Sequence, residues 1–157
     1  MAWRRWWGRA VHGDALGHLI QLVHSEVDMS YIFELDLKVR DYECDMQGVV
    51  NNSVYLSYLE HARHEYLESK GITFKGLVDK KIIIMVIRME IDFKASLKSG
   101  DSFSVKIRID RKYAKLIFFQ DIYKKSDNRL CIRSKVELAC TINGVLSRGE
   151  IFDQLIS

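Results

Sequence analysis

The chain has 157 residues, enough for one domain and too few for two of ordinary size. Almost half are hydrophobic (48%) and 29% are charged with the signs interspersed, a balance that allows a buried core and argues against disorder. The net charge of +3 is too small to imply nucleic-acid binding, and no apolar run approaches the roughly 18 residues of a membrane span, so neither nucleic acid nor stable membrane insertion is expected.

Residues 1–28 stand apart from the rest. They hold Trp3, Trp6 and Trp7, three arginines and three histidines, and no acidic residue before Asp14. No continuous apolar stretch follows the basic start, as a secretory signal would require. The segment reads as an extension, either a disordered leader or an over-long start ahead of Met29. An Arg-rich transit peptide or an interfacial anchor is the alternative. The domain itself is expected over residues 29–157.

From Tyr31 the pattern becomes regular. Tyr31, Phe33, Leu35, Leu37 and Val39 alternate with charged residues, the period of a strand with one wet face. A loop, Arg40 to Val50, contains Gly48. Asn51, Asn52 or Ser53 can then cap a helix by accepting from its first free amides. The helix should run to about Lys70, with Gly71 as its left-handed stop and Tyr55, Leu59, Ala62 and Tyr66 along one face, widened by Val54, Tyr58 and Leu67. After Gly76 the signal turns to strands: Ile82 to Phe93, Phe103 to Ile109, Leu116 to Tyr123 and Leu130 to Ile142. Turns fall at Ser99-Gly100-Asp101 and Ser126-Asp127-Asn128, as a chain without proline must arrange. The order predicts a strand, a long helix and four strands in meander, an α+β domain. The single helix covers one sheet face and leaves the other solvated or covered by a partner.

The run Val39-Arg40-Asp41-Tyr42-Glu43-Cys44-Asp45-Met46-Gln47-Gly48-Val49-Val50-Asn51-Asn52, with Tyr55 and Tyr58-Leu59-Glu60 after it, resembles the 4-hydroxybenzoyl-CoA thioesterase family. The likeness leans toward its branch of bacterial acyl-CoA and plant acyl-lipid thioesterases and extends from Tyr31 to about Asn143. It implies a hot-dog fold, a five-stranded antiparallel sheet wrapped around one long helix. It also implies hydrolysis of an acyl-CoA or acyl-carrier-protein thioester without cofactor, in a cytoplasmic homodimer or homotetramer that binds substrate between subunits.

Asp45, Gly48, Val49, Val50 and Tyr55 match the family pattern. Thioester hydrolysis needs a nucleophile or general base and donors for the developing oxyanion. The resemblance gives the first role to Asp45, as direct attacker or as activator of water. The amides around Gly48 to Asn51, at the positive end of the helix, would polarise the carbonyl. Gly48, Val49, Val50, Asn51 and Tyr55 are thus candidate substrate contacts, and Gly48 admits close approach to the backbone. From position alone Asp45 is a turn aspartate. Asn52 stands where some relatives carry His or Tyr; it can orient water or substrate but takes no proton, and its alternative is a helix cap. Glu60 falls where relatives also place an acid, with a salt bridge to Arg63 or His64 as the alternative.

His61 and His64 share a helix face but do not form the HExxH zinc pattern, so no metal is expected. Cys44, Cys131 and Cys140 form no CxxC pair and read as reduced thiols. Basic residues recur at Arg108, Arg111, Lys112 and Lys115 and at Lys124, Lys125 and Arg129. They are candidates for the phosphates of CoA or phosphopantetheine, Arg111 and Lys112 first, against the alternative of a solvated hairpin. A non-catalytic acyl-binding module is the second reading. A hydratase is disfavoured because the Arg40–Asn52 loop lacks His.

Overall fold

The period-two segments of the sequence are strands and the 3.6-period segment is a helix, in a computed structural model that describes residues 30–156. The expectations for residues 1–28 lie outside the described residues. In chain order the elements are β1 (Phe33–Lys38), a 3-10 turn (Asp41–Glu43), α1 (Asn52–Ser69), α2 (Phe74–Asp79), β2 (Ile82–Phe93), β3 (Ser102–Lys112), β4 (Lys115–Lys124), β5 (Arg129–Ile142), β6 (Val145–Leu146), a second 3-10 turn (Glu150–Phe152) and α3 (Asp153–Ile156).

The sheet is antiparallel in the order β1-β3-β4-β5-β2, with the two-residue β6 added to β5. This corrects the four-strand meander. Only β3, β4 and β5 follow one another as neighbours, while β2 crosses to the far edge beside β5. The reason is the β2–β3 connection. Ser99-Gly100-Asp101 is a turn, with Gly100 at φ +80, but Leu97 just before it is fully buried and anchors a strap across the end of the domain. A segment pinned to the core cannot close a tight hairpin.

The sheet curls around α1. Tyr55, Tyr58, Leu59, Ala62, Tyr66 and Leu67 pack against Phe103, Ile107, Phe118 and Val136, and Tyr66 meets Phe33 and Phe118 edge-on at 5.6 and 5.9 Å. Helical periodicity therefore placed the buried stripe, apart from Arg63. That residue is 5% exposed and donates to Gln120 Oε1 at 2.9 Å, while Gln120 Nε2 donates to the Leu59 carbonyl at 2.9 Å. Burial lowers the Arg63 pKa. Gly71 ends α1 at φ +73, donating to the Glu68 carbonyl at 2.8 Å.

Three segments differ from the sequence expectation. Tyr31 leaves the β1 alternation, because its phenol turns outward to donate to Asp121 at 2.8 Å. Residues 74–79 form a short helix ahead of the strand expected from Ile82, where no element was expected, capped by Thr73 Oγ1 accepting from Gly76 N at 3.1 Å and anchored by buried Leu77. Beyond Asn143 the chain returns to the core: Phe152 and Leu155 are buried, and Tyr66 donates to the Leu155 carbonyl at 2.5 Å.

The outer sheet face sets charged pairs among apolar residues such as Ile117 and Phe119. Lys115 and Lys135 meet Glu137 at 2.8 and 3.0 Å, and their hydrogen bonds pull its carboxyl down to about 2. A folded pKa below the ordinary 4.5 stabilises the fold above that value, and the contribution is lost as pH falls toward 2. Thermal melts across this window should show a steeper decline for the wild type than for Glu137→Gln. Parallel declines would remove the pair from acid unfolding.

Candidate active site

The loop between β1 and α1 is built as a small antiparallel corner. Cys44 bridges Val50, Asp45 N donates to the Val49 carbonyl at 2.9 Å, and Gly48 N returns to the Asp45 carbonyl at 2.9 Å. The corner needs a left-handed residue, which Gly48 supplies at φ +73. Asp45 Oδ1 accepts from Gln47 N at 2.8 Å, so one carboxylate oxygen orients the turn and the other stays available. Asn51 is the cap of α1, its Oδ1 accepting from Ser53 N at 3.0 Å and from Ser53 Oγ at 2.9 Å.

Beside this corner lies an open groove of about 390 Å³, lined by Asp45, Val49, Val50, Asn52 and Tyr55 on one side and Phe93, Lys94, Ala95 and Ser96 on the other. The strap of the β2–β3 connection forms that second side. Leu97 N donates to Tyr55 Oη at 2.9 Å, and the Leu97 carbonyl accepts from Val50 N at 2.9 Å. Tyr55 therefore ties strap to helix while its ring meets Phe93 edge-on at 5.9 Å. Burial raises the Tyr55 pKa and keeps its hydroxyl neutral. A second clamp holds the loop from behind. Tyr58 Oη donates to Glu43 Oε2 at 2.6 Å, and Asn51 N donates to the Glu43 carbonyl at 3.0 Å.

The groove thus gathers Asp45, Val49, Val50, Asn52 and Tyr55 of the residues singled out in the sequence. The free amides are corrected in detail. Gly48 N, Val50 N and Asn51 N are spent on Asp45, Leu97 and Glu43, whereas among the described residues Val49 N and Asn52 N carry no hydrogen bond. The Asn51 side chain is committed to its cap, and Gly48 shapes the corner without lining the groove. Glu60 also falls outside it. Exposed about two turns along α1 from Asn52, it lies 4.0 Å from His64, the ion-pair alternative.

Arg111 and Lys112 fall outside it as well. β3 starts beside the strap, so they lie roughly 25–30 Å away along the strand. Arg111 is used structurally, donating to the Tyr113 and Arg148 carbonyls at 3.1 and 3.2 Å and pairing with Asp153. Lys124, Lys125 and Arg129 pair with Asp101, Asp36 and Asp127.

The residues that sequence reasoning missed are Phe93, Lys94, Ala95 and Ser96. Their only signal was buried-type Leu97 inside a polar run, too little to place a strap over a loop more than forty residues earlier. A larger open groove of about 1090 Å³ lies on the other side of the loop, lined by Lys38, Arg40, Glu43, Tyr58 and His61 among others. It does not include Asp45, Val49 or Asn52.

A curled antiparallel sheet around one long helix, with a carboxylate and unspent amides at the helix mouth, defines a hot-dog α+β domain. The thioesterase-like superfamily model matches residues 39–145, and the chain belongs to that family. The acyl-acyl carrier protein thioesterase ATL3 of Arabidopsis thaliana, a chloroplastic protein, is 43% identical over 101 residues, covering 64% of this chain and 53% of its own. Its relative ATL2 is 41% identical over 96 residues, covering 61% and 51%. The chain thus spans about half the length of these curated relatives. Among solved structures, Slr0204 of Synechocystis, a 1,4-dihydroxy-2-naphthoyl-CoA thioesterase, superposes with a TM-score of 0.74 at 19% identity, over 79% of this chain and 94% of that one, a likeness of fold.

Proposed function

We propose that the protein hydrolyses the thioester of an acyl-CoA or an acyl-carrier protein, releasing a carboxylic acid and a thiol. The observation that carries this is the placement of Asp45 on the same groove as the unspent Val49 and Asn52 amides. A thioester carbonyl set against those donors would have its developing oxyanion stabilised at the positive end of α1. The free Asp45 oxygen would attack the carbonyl or take a proton from water. Asn52 would orient water or substrate, and Phe93 and Tyr55 would meet the acyl group. The names of the Arabidopsis relatives support a carrier-linked substrate.

The working form in this reading is a homodimer or homotetramer. β2 is a twelve-residue edge strand whose Val86, Ile87 and Phe93 are exposed, and apolar residues on an open edge invite a partner. Among the described residues no helix is long and apolar enough to cross a membrane. Cys44, Cys131 and Cys140 are free, which suits a reducing compartment such as the cytoplasm.

Thiol release from a panel of CoA and carrier-protein thioesters of graded chain length tests the function. Hydrolysis of at least one class is expected. Saturable acyl-CoA binding without thiol release from any substrate would leave the binding-module reading in its place.

A further inference from the structure

Arg63 is a buried cation without an acid. It sits about three turns into α1, and among the described residues its side chain makes one hydrogen bond, to the neutral Gln120. Glu60, one turn back along the helix, is exposed and pairs with His64 instead. Buried charges are ordinarily paired, because an uncompensated ion is costly to take out of water. The Gln120 bond uses Nη1. Nε and Nη2 carry no hydrogen bond, yet neither is sealed from open space. A guanidinium held on one side and open on the other is a site short of an anion.

The register of the sheet locates that opening. Ile107, Gln120, Ser134 and Ile91 form one row across the inner face, from β3 through β4 and β5 to β2. Gln120 and Ser134 are buried, and Ser134 Oγ donates to the Gln120 carbonyl at 2.9 Å. α1 packs closest on β1 and β3, so Gln120 stands on the side of the helix turned toward β2. There Met89 and Ile91 are only half-buried, and the seam between α1 and β2 is not closed above this polar row.

The seam continues the Asp45 groove. Phe93, which lines the groove, lies two residues beyond Ile91 on the same face, about 7 Å along β2. On the helix, side chains lean toward the N-terminus, which sets the Arg63 guanidinium over the turn of Leu59. The same Gln120 that holds Arg63 also reaches the Leu59 carbonyl. Leu59 is about 6 Å along α1 from the groove residue Tyr55 and on the order of 10 Å from Asn52. An acyl chain with its carbonyl on Asn52 N would thus pass Phe93 and Ile91 and end at Arg63.

We propose that Arg63 is an anion site at the far end of the acyl path, which makes the preferred substrate a thioester whose acyl group ends in a carboxylate. This rests on the hydrolytic reading above and names its substrate class. Gln120 takes Nη1 and leaves the Nε–Nη2 edge, whose two parallel N–H donors fit both oxygens of a carboxylate. A methyl end would leave the buried cation unpaired, whereas a carboxylate compensates it.

Matched acyl-CoA pairs test the assignment: mono-CoA thioesters of straight-chain dicarboxylic acids against unsubstituted acyl-CoAs of the same carbon number, over a series of lengths. At one length the wild type should favour the carboxylated member at least tenfold in kcat/KM. Arg63→Met should abolish that preference, losing activity on the carboxylated member and keeping it on the plain one. A packing role alone would lower both alike, so a parallel loss overturns the proposal. Wild-type preference for the plain member at every length overturns it too. If Arg63→Met does not fold, Arg63→Lys decides in its place, since it keeps the charge and loses the two-donor edge. The carboxylate preference should then fall several-fold, and an unchanged preference overturns the proposal. If no thioester releases thiol, the hydrolytic reading falls, and calorimetric titration with the same pairs still decides Arg63. Tighter binding of the carboxylated member, lost in the variant, upholds the anion site, and equal binding of the two overturns it.

Discussion

Asp45→Asn is expected to lower kcat on the best thioester substrate by on the order of 10³-fold or more, with KM changed only a few-fold. The amide is nearly isosteric and can still accept from Gln47 N, the 2.8 Å bond that orients the side chain. The corner, held by Cys44–Val50 pairing and by Gly48, should therefore persist. What disappears is the charge: a neutral amide neither attacks a carbonyl nor takes a proton from water. A 10³-fold loss corresponds to about 4 kcal/mol of transition-state stabilisation, too large for altered packing at a half-buried loop residue. Thiol release under single-turnover conditions, with melting temperature as the folding control, gives the comparison. A variant as fast as wild type would remove Asp45 from the chemistry while leaving the family membership untouched.

Phe118→Ala should be the most damaging of the core truncations, destabilising the domain by about 3–5 kcal/mol. Phe118 is fully buried on β4, in the middle of the sheet, and its ring stands edge-on to Tyr66 of α1 at 5.9 Å. Tyr66 in turn reaches the Leu155 carbonyl, so one aromatic joins sheet, helix and C-terminal segment. The lost area and the cavity under α1 add, because strands bonded on both sides cannot collapse into the space. Against a total stability of roughly 5–15 kcal/mol this is a large share. Urea unfolding should show the loss as a shifted midpoint at unchanged slope. A shift below about 1 kcal/mol would mean that the interior repacks freely.

The candidate site joins the Asp45 corner and the first turns of α1, which follow one another in the chain, to the strap at Phe93–Leu97, some forty residues on. Two tyrosines of one helix lock them together. Tyr55 holds the strap and Tyr58 holds Glu43 behind the corner. Each phenol is largely buried, and for Tyr58 both burial and the Glu43 carboxylate raise the pKa, so it remains a donor throughout the pH range of an esterase assay.

The sequence by itself determined what local physics controls. Alternation gave the five long strands to within about three residues at their ends, the 3.6 period gave α1 and its buried face, and it was the family resemblance that pointed to Asp45, Gly48 and the helix mouth. Alternation and the helical period repeat within a few residues, so a single chain displays them directly. Only the tertiary structure decided the rest. That β2 leaves the meander for the far edge follows from Leu97 being pinned under Tyr55, a contact across forty-two residues. That Val49 N and Asn52 N are the unspent amides, rather than those of Gly48, Val50 and Asn51, depends on acceptors supplied by Asp45, Leu97 and Glu43. That Arg111 serves the C-terminal segment and Glu60 pairs with His64 depends on where strand and helix ends come to lie. Charge and residue type announce what a side chain can do, but its partner is fixed by the path of the chain. Those paths were set by packing between segments whose separation in sequence carries no periodic signal.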